Sequence, residues 1–194
     1  YQATAYLNNR RPGELYVAGG ANPPMTGTVP AGPYVAKADA ATGREVWRTY
    51  VENANASGAW FGAVNLNILP DGNIAFAWEN NVAILDGETG LILRQAALPT
   101  GSTPAAQSNY KHVTIAPDGS VWFGCYGNGG GLARYEPESA TWTVWDFDNH
   151  ANGWPGWVTL EAAVAQPKPG GGYFIWIDDA FGRVRFDSDT QLFT

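Results

Sequence analysis

Residues 38–47 read Ala-Asp-Ala-Ala-Thr-Gly-Arg-Glu-Val-Trp, and the rest of the chain repeats their pattern. Asp39 and Thr42 carry side chains that hydrogen-bond nearby backbone, and Gly43 can supply a positive φ. Val46 and Trp47 then begin a run suited to a pleated, half-buried surface. The stretch therefore predicts the end of one strand, a tight turn and the start of the next strand.

The same turn pattern returns three times along the chain. Residues 86–90 (Asp-Gly-Glu-Thr-Gly) repeat it closely, while residues 136–139 (Glu-Pro-Glu-Ser) and 187–190 (Asp-Ser-Asp-Thr) repeat it loosely. The acidic residues that open these turns are separated by 47, 50 and 51 positions. A strand-rich unit of this length that recurs is typical of a β-propeller blade.

Each repeat reads as a meander of four strands, named A to D. The predicted blades span residues 1–52, 60–98, 110–147 and 157–194, with a long loop at 19–33 and a last D strand at 191–193. We therefore predict an all-β propeller built of four-stranded antiparallel blades. Four blades can close a small propeller or form part of a larger one, and we expect the larger one here.

Composition excludes several classes of partner. The net charge is −7, and the longest cluster of cations is the pair Arg10-Arg11, which argues against nucleic acid and anionic membranes. No apolar run is long enough to insert into a membrane as a helix. The single cysteine, Cys125, excludes an intrachain disulfide.

The meander predicts that the two ends of each blade differ. The A–B and C–D turns, which are short and repeated, lie at one end, named here the short-turn end. The B–C and D–A connections vary in length and lie at the opposite end, named the long-loop end. Variable loops on a rigid scaffold are typical of a functional face, so we expect binding or catalysis at the long-loop end.

Ionisable residues near the long-loop end are the candidates for acid–base chemistry. His112 opens an A strand, where it could act as an acid or base or could simply be a residue satisfied by backbone. Asp178 and Asp179 could share a proton or bind Ca²⁺, although a plain turn before Ala180 explains them as well. The predicted catalytic set is His112, Lys111, Asp178, Asp179 and Glu79.

A second group of residues in the long connections could contact a ligand. Trp60 and Trp154 could stack on sugar rings or apolar groups, or could fill the space between blades. His150 lies in a polar loop, where a solvated side chain is the alternative. The predicted ligand-binding set is Tyr110, Trp60, Trp154 and His150. No His or Glu pair has the spacing of a metal site, so we predict none.

Residues 38–47 resemble the tryptophan-docking motif of quinoprotein (PQQ-like) propellers, Ala-x-Asp-x-x-Thr-Gly-x-x-x-Trp. The first blade matches at Asp39, Thr42, Gly43 and Trp47; the second matches at Asp86, Thr89 and Gly90 but has Arg94 in place of tryptophan. Residues 115–124 resemble blades of virginiamycin B lyase and NHL-type propellers. The resemblance implies a propeller fold, a periplasmic or secreted location, and a Trp47 ring stacked between blades.

The resemblance also bears on cofactors. Quinoprotein alcohol dehydrogenases place a vicinal cysteine pair over PQQ, and this pair is absent here, so we expect no PQQ. Heme c attachment needs two cysteines and is excluded. Virginiamycin B lyase-like enzymes use paired histidines and a glutamate with a divalent metal. His112, His150 and Glu161 match that set in residue type only.

Two functions remain open from the sequence. The first is an extracytoplasmic module that binds a small molecule or a protein on its long-loop end. The second is a hydrolase or lyase with a site around His112 and the acids. The expected partners are further propeller blades from missing sequence or another chain, because an open arc would leave blade faces carrying Phe174, Trp176 and Phe186 in water.

Overall fold

A computed structural model describes residues 3–7, 12–21, 32–51, 64–78, 81–97, 109–126, 131–146, 160–179 and 182–194. The chain divides into two compact units, Tyr1–Ala97 and Leu98–Thr194. The described residues form four antiparallel sheets, and none of them lies in a helix that could cross a membrane. The predicted all-β architecture of blade-like sheets is confirmed.

Unit 1 contains two sheets of four strands in sequential order. Blade 1 consists of β1 (Ala3–Leu7), β2 (Glu14–Ala21), β3 (Gly32–Asp39) and β4 (Glu45–Tyr50). Blade 2 consists of β5 (Val64–Ile68), β6 (Ile74–Trp78), β7 (Asn81–Leu85) and β8 (Ile92–Ala97). The central strands β6 and β7 are buried throughout, whereas β8 is mostly exposed, as expected for an outer strand.

Unit 2 contains one sheet of four strands and one of three. Blade 3 consists of β9 (Asn109–Ile115), β10 (Val121–Tyr126), β11 (Gly131–Glu136) and β12 (Thr141–Asp146). Blade 4 consists of β13 (Leu160–Pro167), β14 (Tyr173–Asp179) and β15 (Gly182–Asp187). The predicted D strand at 191–193 is reduced to one isolated bridge between Phe193 and Phe186.

Two predicted boundaries move outward in the structure. The strands β2 and β3 extend into the predicted loop at 19–33, because Gly19 pairs with Tyr34 and Ala21 pairs with Gly32. The strand β9 begins at Asn109 rather than at His112. Ladder hydrogen bonds maintain these extensions through residues whose own strand propensity is low.

The predicted turn chemistry is present in both blades of unit 1. The Asp39 carboxylate accepts hydrogen bonds from the Thr42 backbone N–H at 2.8 Å and the Thr42 hydroxyl at 2.7 Å. The Asp86 carboxylate accepts the same two bonds from Thr89 at 2.7 and 2.9 Å. The hydrogen bonds from Thr42 are the main reason that the pKa of Asp39 lies below its ordinary value.

The fifth position of all four turns has a left-handed backbone. Gly43 and Gly90 have φ of 70° and 73°, while Ala140 and Gln191 have φ of 55° and 56°. These four positions are spaced by 47, 50 and 51 residues, as the opening acidic residues are. The repeat therefore preserves a backbone conformation even where it does not preserve the glycine.

Candidate functional site

The backbone of the predicted catalytic pair Lys111–His112 lies in β9, toward its long-loop end. His112 pairs with Gly124, and Tyr110 pairs with Cys125, so Lys111 is an extra residue without a register partner in β10. This arrangement is a β-bulge, which bends a strand and re-aims the side chains beside it. The sequence reasoning placed Lys111 in this region but did not predict the bulge.

A second bulge lies at the long-loop end of blade 4. Leu160 pairs with Asp179 and Ala162 pairs with Asp178, so Glu161 is the extra residue of β13. Asp178 and Asp179 are the last two residues of β14, opposite Arg183 and Gly182 of β15. The backbone of both predicted acids is therefore part of a strand pair.

The remaining predicted residues of the long-loop end cannot be placed. Glu79, Trp60, Trp154 and His150 lie outside the described residues, and so does the prediction that rests on them. Within the described residues, no group of three or more His, Cys, Asp or Glu side chains is arranged to hold a metal ion.

At the short-turn end of unit 1, the predicted docking of Trp47 is present. The Trp47 ring lies against Gly90 of blade 2, so closely that a Cβ added at Gly90 would sit 2.6 Å from the ring. The Thr49 hydroxyl donates a 2.6 Å hydrogen bond to the Gly90 carbonyl. Trp47 also contacts Tyr16, with ring centroids 6.1 Å apart. The turn of blade 2 thus forms the surface on which blade 1 docks.

A buried lysine strengthens the same interblade contact. The Lys37 ammonium lies 2.8 Å from Glu14 of its own blade and 3.3 Å from Glu88 of blade 2. It also donates to the Gly87 carbonyl at 3.3 Å, and the Tyr16 hydroxyl donates to that carbonyl at 3.0 Å. A buried cation needs such partners, because an unpaired charge is costly to remove from water.

Unit 2 joins its two blades through a different polar network. The Asp118 carboxylate accepts hydrogen bonds from the Ser120 hydroxyl at 2.6 Å and from the Tyr173 hydroxyl of blade 4 at 3.0 Å. The Trp122 indole N–H lies 2.9 Å from the Ser120 hydroxyl and 3.2 Å from the Tyr173 hydroxyl. An Arg134 ion pair at 2.9 Å completes the surroundings of Asp118. Asp118 therefore joins blade 3 to blade 4 in addition to its hydrogen bonds within its own turn.

The network fixes the ionisation of its two acids. Burial alone would raise the pKa of Asp118, but the hydrogen bonds from Ser120 and Tyr173 and the charge of Arg134 outweigh it and lower that pKa. Burial raises the pKa of Tyr173, and the charge of Asp118 adds to this effect. Asp118 stays charged and Tyr173 stays neutral near pH 7, which suits a structural contact better than proton transfer.

An open cavity of about 400 Å³ lies beside this network, at the short-turn end of unit 2. Its lining residues come from blades 3 and 4: Pro117, Asp118, Arg134, Gly172, Tyr173, Ser188 and Asp189. The carboxylates of Asp187 and Asp189 are both bound by Lys168, at 2.7 and 2.5 Å. These bonds raise the pKa of Lys168, and the bond to Lys168 lowers the pKa of Asp187. The charged groups are thus already neutralised by neighbours.

One face of blade 4 also carries aromatic side chains and a cation, Phe174, Trp176 and Arg185. Trp176 is 37% exposed, and Phe174 is partly buried beneath the Arg185 guanidinium. Phe186, which was expected on an exposed face, is fully buried. Its side chain packs against Trp122 and Trp145 of blade 3, because it points to the opposite face of its strand.

The sequence analysis did not identify the cations that lie beside these aromatic rings, although they recur at one position of the repeat. Lys37, Arg134 and Arg185 each stand two residues before the acid that opens a C–D turn. Their recurrence at one repeat position predicts a shared structural role. Aligning the four repeats on their turns would have found it.

Comparison with known proteins supports the fold. No protein-family model matches the chain, and no curated protein matches it. A protein of unknown function from Bacteroides caccae is similar over 94% of this chain and 56% of its own, with 14% identity and a TM-score of 0.58. BamB from Moraxella catarrhalis is similar over 82% of this chain and 44% of its own, with 15% identity and a TM-score of 0.54.

A third solved structure is the extracellular domain of a putative one component system, BT4673, from B. thetaiotaomicron. It matches 94% of this chain and 25% of its own length, with 12% identity and a TM-score of 0.52. The chain thus spans about half the length of the first two structures and a quarter of the third. With BamB a PQQ-like β-propeller, these similarities and the four blade-like sheets show that the chain resembles the PQQ-like β-propellers in fold.

Proposed function

We propose that this chain is an extracytoplasmic β-propeller module that binds a small molecule or a protein partner at its long-loop end. The extracellular domain of BT4673 shares its fold and supports the proposed location. The similarity shows fold alone, so the case for binding rests on the chain's own residues.

The observation that carries the proposal is the pair of bulges in unit 2. The strands β9 and β13 pack against each other, and each has one extra residue toward its long-loop end, Lys111 and Glu161. The neighbouring backbone carries His112, Asp178 and Asp179. The two extra residues and these three neighbours place five ionisable residues at this end of unit 2, and β-bulges are over-represented next to active sites.

The short-turn end supports a division of labour between the two ends. Three of its charged side chains, Lys37, Asp118 and Lys168, are paired inside the fold. These ion pairs hold neighbouring blades or turns together, so we assign ligand binding to the long-loop end.

Thermal-shift and calorimetric screening of the 194-residue chain tests the proposal. The probes are a panel of short charged peptides, mono- and disaccharides, and small carboxylates and amines. A probe that binds should raise the melting temperature, and Lys111→Ala or Asp178→Asn should weaken its binding about tenfold or more, as loss of a charged hydrogen bond does. Arg44→Ala, an exposed change at the short-turn end, is the matched control. Equal binding by all variants would contradict the proposed site.

The same residues support a second candidate, a hydrolase or lyase in which His112 is the general acid or base. The bulge at Lys111 is the observation in its favour, because it alters the strand beside His112. His112→Ala should then reduce turnover about 10²–10⁴-fold while leaving the melting temperature unchanged. For a binding module, the same variant should change affinity only modestly and affect no turnover.

A further inference from the structure

Two buried side chains at the long-loop end of blade 2 have polar atoms without a hydrogen-bond partner. Trp78 ends β6 and Asn81 begins β7, and the two residues lie opposite each other in the last register of that strand pair. Each is only 1% exposed. In this described part of blade 2, the Trp78 indole N–H and both polar atoms of the Asn81 side-chain amide make no hydrogen bond. Two strands that face each other thus enclose three unpaired polar atoms.

This arrangement costs the fold stability. A polar group that leaves water on folding loses its hydrogen bonds to water, and it is destabilising unless the protein supplies new ones. The great majority of buried polar side-chain atoms in folded proteins have a partner, so an exception needs a reason. A ligand that supplies the missing partners is such a reason, because its binding would recover the hydrogen bonds that folding removed.

The surroundings of the two side chains are uncharged. Val64 of β5 lies opposite Trp78, and Ala97 of β8 lies opposite Asn81, so these four residues form the last rung of blade 2. The Trp78 ring stacks on Phe76, with ring centroids 5.0 Å apart, and belongs to the apolar cluster that joins blades 1 and 2. A charged group would find no opposite charge on the last rung, which favours an uncharged ligand.

The pattern of donors and acceptors narrows the ligand further. The Asn81 amide offers a donor and an acceptor next to each other, and a primary amide presents the complementary pair, so the two can form two hydrogen bonds. The Trp78 N–H can donate to the second lone pair of the ligand carbonyl. A trans peptide bond has its N–H and C=O on opposite sides and cannot form the paired contact. A primary amide therefore satisfies all three atoms.

Blade 4 also has a hydrogen-bonding side chain at this repeat position. Two positions separate Trp78 from Asn81, and two separate Asp179 from Gly182, which form the last register of β14 and β15. Asp179 therefore holds the position in blade 4 that Trp78 holds in blade 2. The pairing of strands does not require a polar side chain here, so its presence in both blades is consistent with contact to a ligand.

We propose that Trp78 and Asn81 form a binding site in blade 2 for a small, uncharged primary amide, which opens the last rung as it enters. Opening this rung leaves the other four registers between β6 and β7 in place. Sheet ends of this kind open locally at a lower cost than the whole domain unfolds. The site is separate from the one proposed in unit 2, and different variants test the two.

Nuclear magnetic resonance of the nitrogen-15-labelled 194-residue chain tests the binding of an amide. The Trp78→Phe variant identifies the Trp78 indole N–H resonance by removing it. Propionamide at millimolar concentrations should shift this resonance, because the N–H gains an acceptor. Methyl glucoside, propionate and propylamine are the comparison probes, which offer hydroxyls, a negative charge and a positive charge. No shift with propionamide would overturn the site, and an equal or larger shift with another probe would overturn its preference for an amide.

The melting temperatures of two variants test whether the Asn81 amide is unpaired. Asn81→Leu keeps the branched shape and removes both polar atoms, so it should raise the melting temperature by about 2–4 °C and abolish the response to propionamide. Asn67→Leu is the matched control in blade 2. The Asn67 side chain accepts a 2.8 Å hydrogen bond from the Ile68 backbone N–H, so its loss should lower the melting temperature.

The smaller Asn81→Val variant covers the case in which leucine does not fit. Lower melting temperatures for both Asn81 variants would show that the amide already has partners in the fold and would overturn the proposal. A propionamide response that persists in either folded variant would also overturn it. Lys111→Ala, which tests the site in unit 2, should leave this response unchanged, so failure of one proposed site is distinguishable from failure of the other.

Discussion

The two units join their blades through tryptophans in different strands, Trp47 in β4 and Trp122 in β10, and with different chemistry. In unit 1, Trp47 is half-buried and rests on the backbone of Gly90, while Lys37 provides a charged contact beside it. In unit 2, Trp122 is fully buried, stacked 5.2 Å from Trp145, and hydrogen-bonded to Tyr173. One contact lies on a turn at the surface, and the other belongs to the core.

The difference shows what the repeat conserves. Both contacts use an aromatic residue of strand B and a cation of strand C, Tyr16 with Lys37 and Trp122 with Arg134. The next blade determines which contact the pair makes. The glycine-rich turn of blade 2 leaves room for an aromatic ring and presents a carbonyl that accepts a hydrogen bond. Blade 4 instead presents the Tyr173 hydroxyl, which accepts a buried hydrogen bond from the Trp122 indole. The register is shared, and the contact adapts to its neighbour.

The largest expected difference concerns the two docked tryptophans. Trp122→Ala should lower the free energy of unfolding by about 3–5 kcal/mol, because it leaves a cavity in the core of unit 2. Trp47→Ala should cost only about 2–3 kcal/mol because the ring is partly exposed. Denaturant unfolding of both variants measures the comparison. Equal losses would mean that exposure does not distinguish the two contacts.

A smaller effect is expected from two glycines with nearly the same backbone. Gly90→Ala should destabilise the chain by about 2–4 kcal/mol, from left-handed strain and from collision with Trp47. Gly43→Ala has the same strain at φ of 70° but open space around the new methyl, so about 1 kcal/mol is expected. The difference in stability between the two variants measures the cost of the collision at the docking contact, because the backbone strain is common to both. This difference should shrink in a Trp47→Ala background, where the close approach of the new methyl to the Thr49 hydroxyl remains.

The smallest effect concerns the acids of the two Pro-Asp-Gly turns. Asp118 has a lowered pKa in the folded state, so its contribution is complete above the unfolded value of about 3.9 and is lost as the pH falls through the lower folded value. Asp118→Asn should cost about 1 kcal/mol at pH 7 and progressively less below pH 4, because Asp118 is partly exposed. The test is the unfolding free energy measured from pH 7 to pH 2.

Asp71→Asn is the matched control for Asp118→Asn. Among the residues that the structure describes, the Asp71 carboxylate accepts hydrogen bonds only from Asn73 of its own turn, at 2.9 and 2.7 Å. We therefore expect a smaller change at pH 7. An equal effect of both substitutions would show that the interblade bonds of Asp118 add nothing to its role in the turn.

The sequence predicted features that depend on residues close together in the chain. The Asp39 and Asp86 turns, the positive φ of Gly43 and the docking of Trp47 all follow from motifs of ten residues or fewer. The interblade bonds are different, because Tyr173 lies 55 positions from Asp118. No local pattern shows which side chains a neighbouring repeat will present.

The candidate site was predictable only in outline. Residue type and the meander placed Lys111, His112, Asp178 and Asp179 at the long-loop end, where their backbone lies. The two bulges were not predictable, because a bulge depends on how two strands are held in register and not on the composition of either strand.

The interblade contacts also have a consequence for synthesis on the ribosome. The Tyr16 hydroxyl can bind the Gly87 carbonyl only after the ribosome has added the 71 residues that separate them. At about 5–20 residues per second, this delay is roughly 4–14 s. A hairpin forms in microseconds, so blade 1 can pair its strands long before it has a neighbour. During that interval Trp47 and Lys37 lack their partners in blade 2, and within each unit the second blade supplies the contacts that the first one lacks.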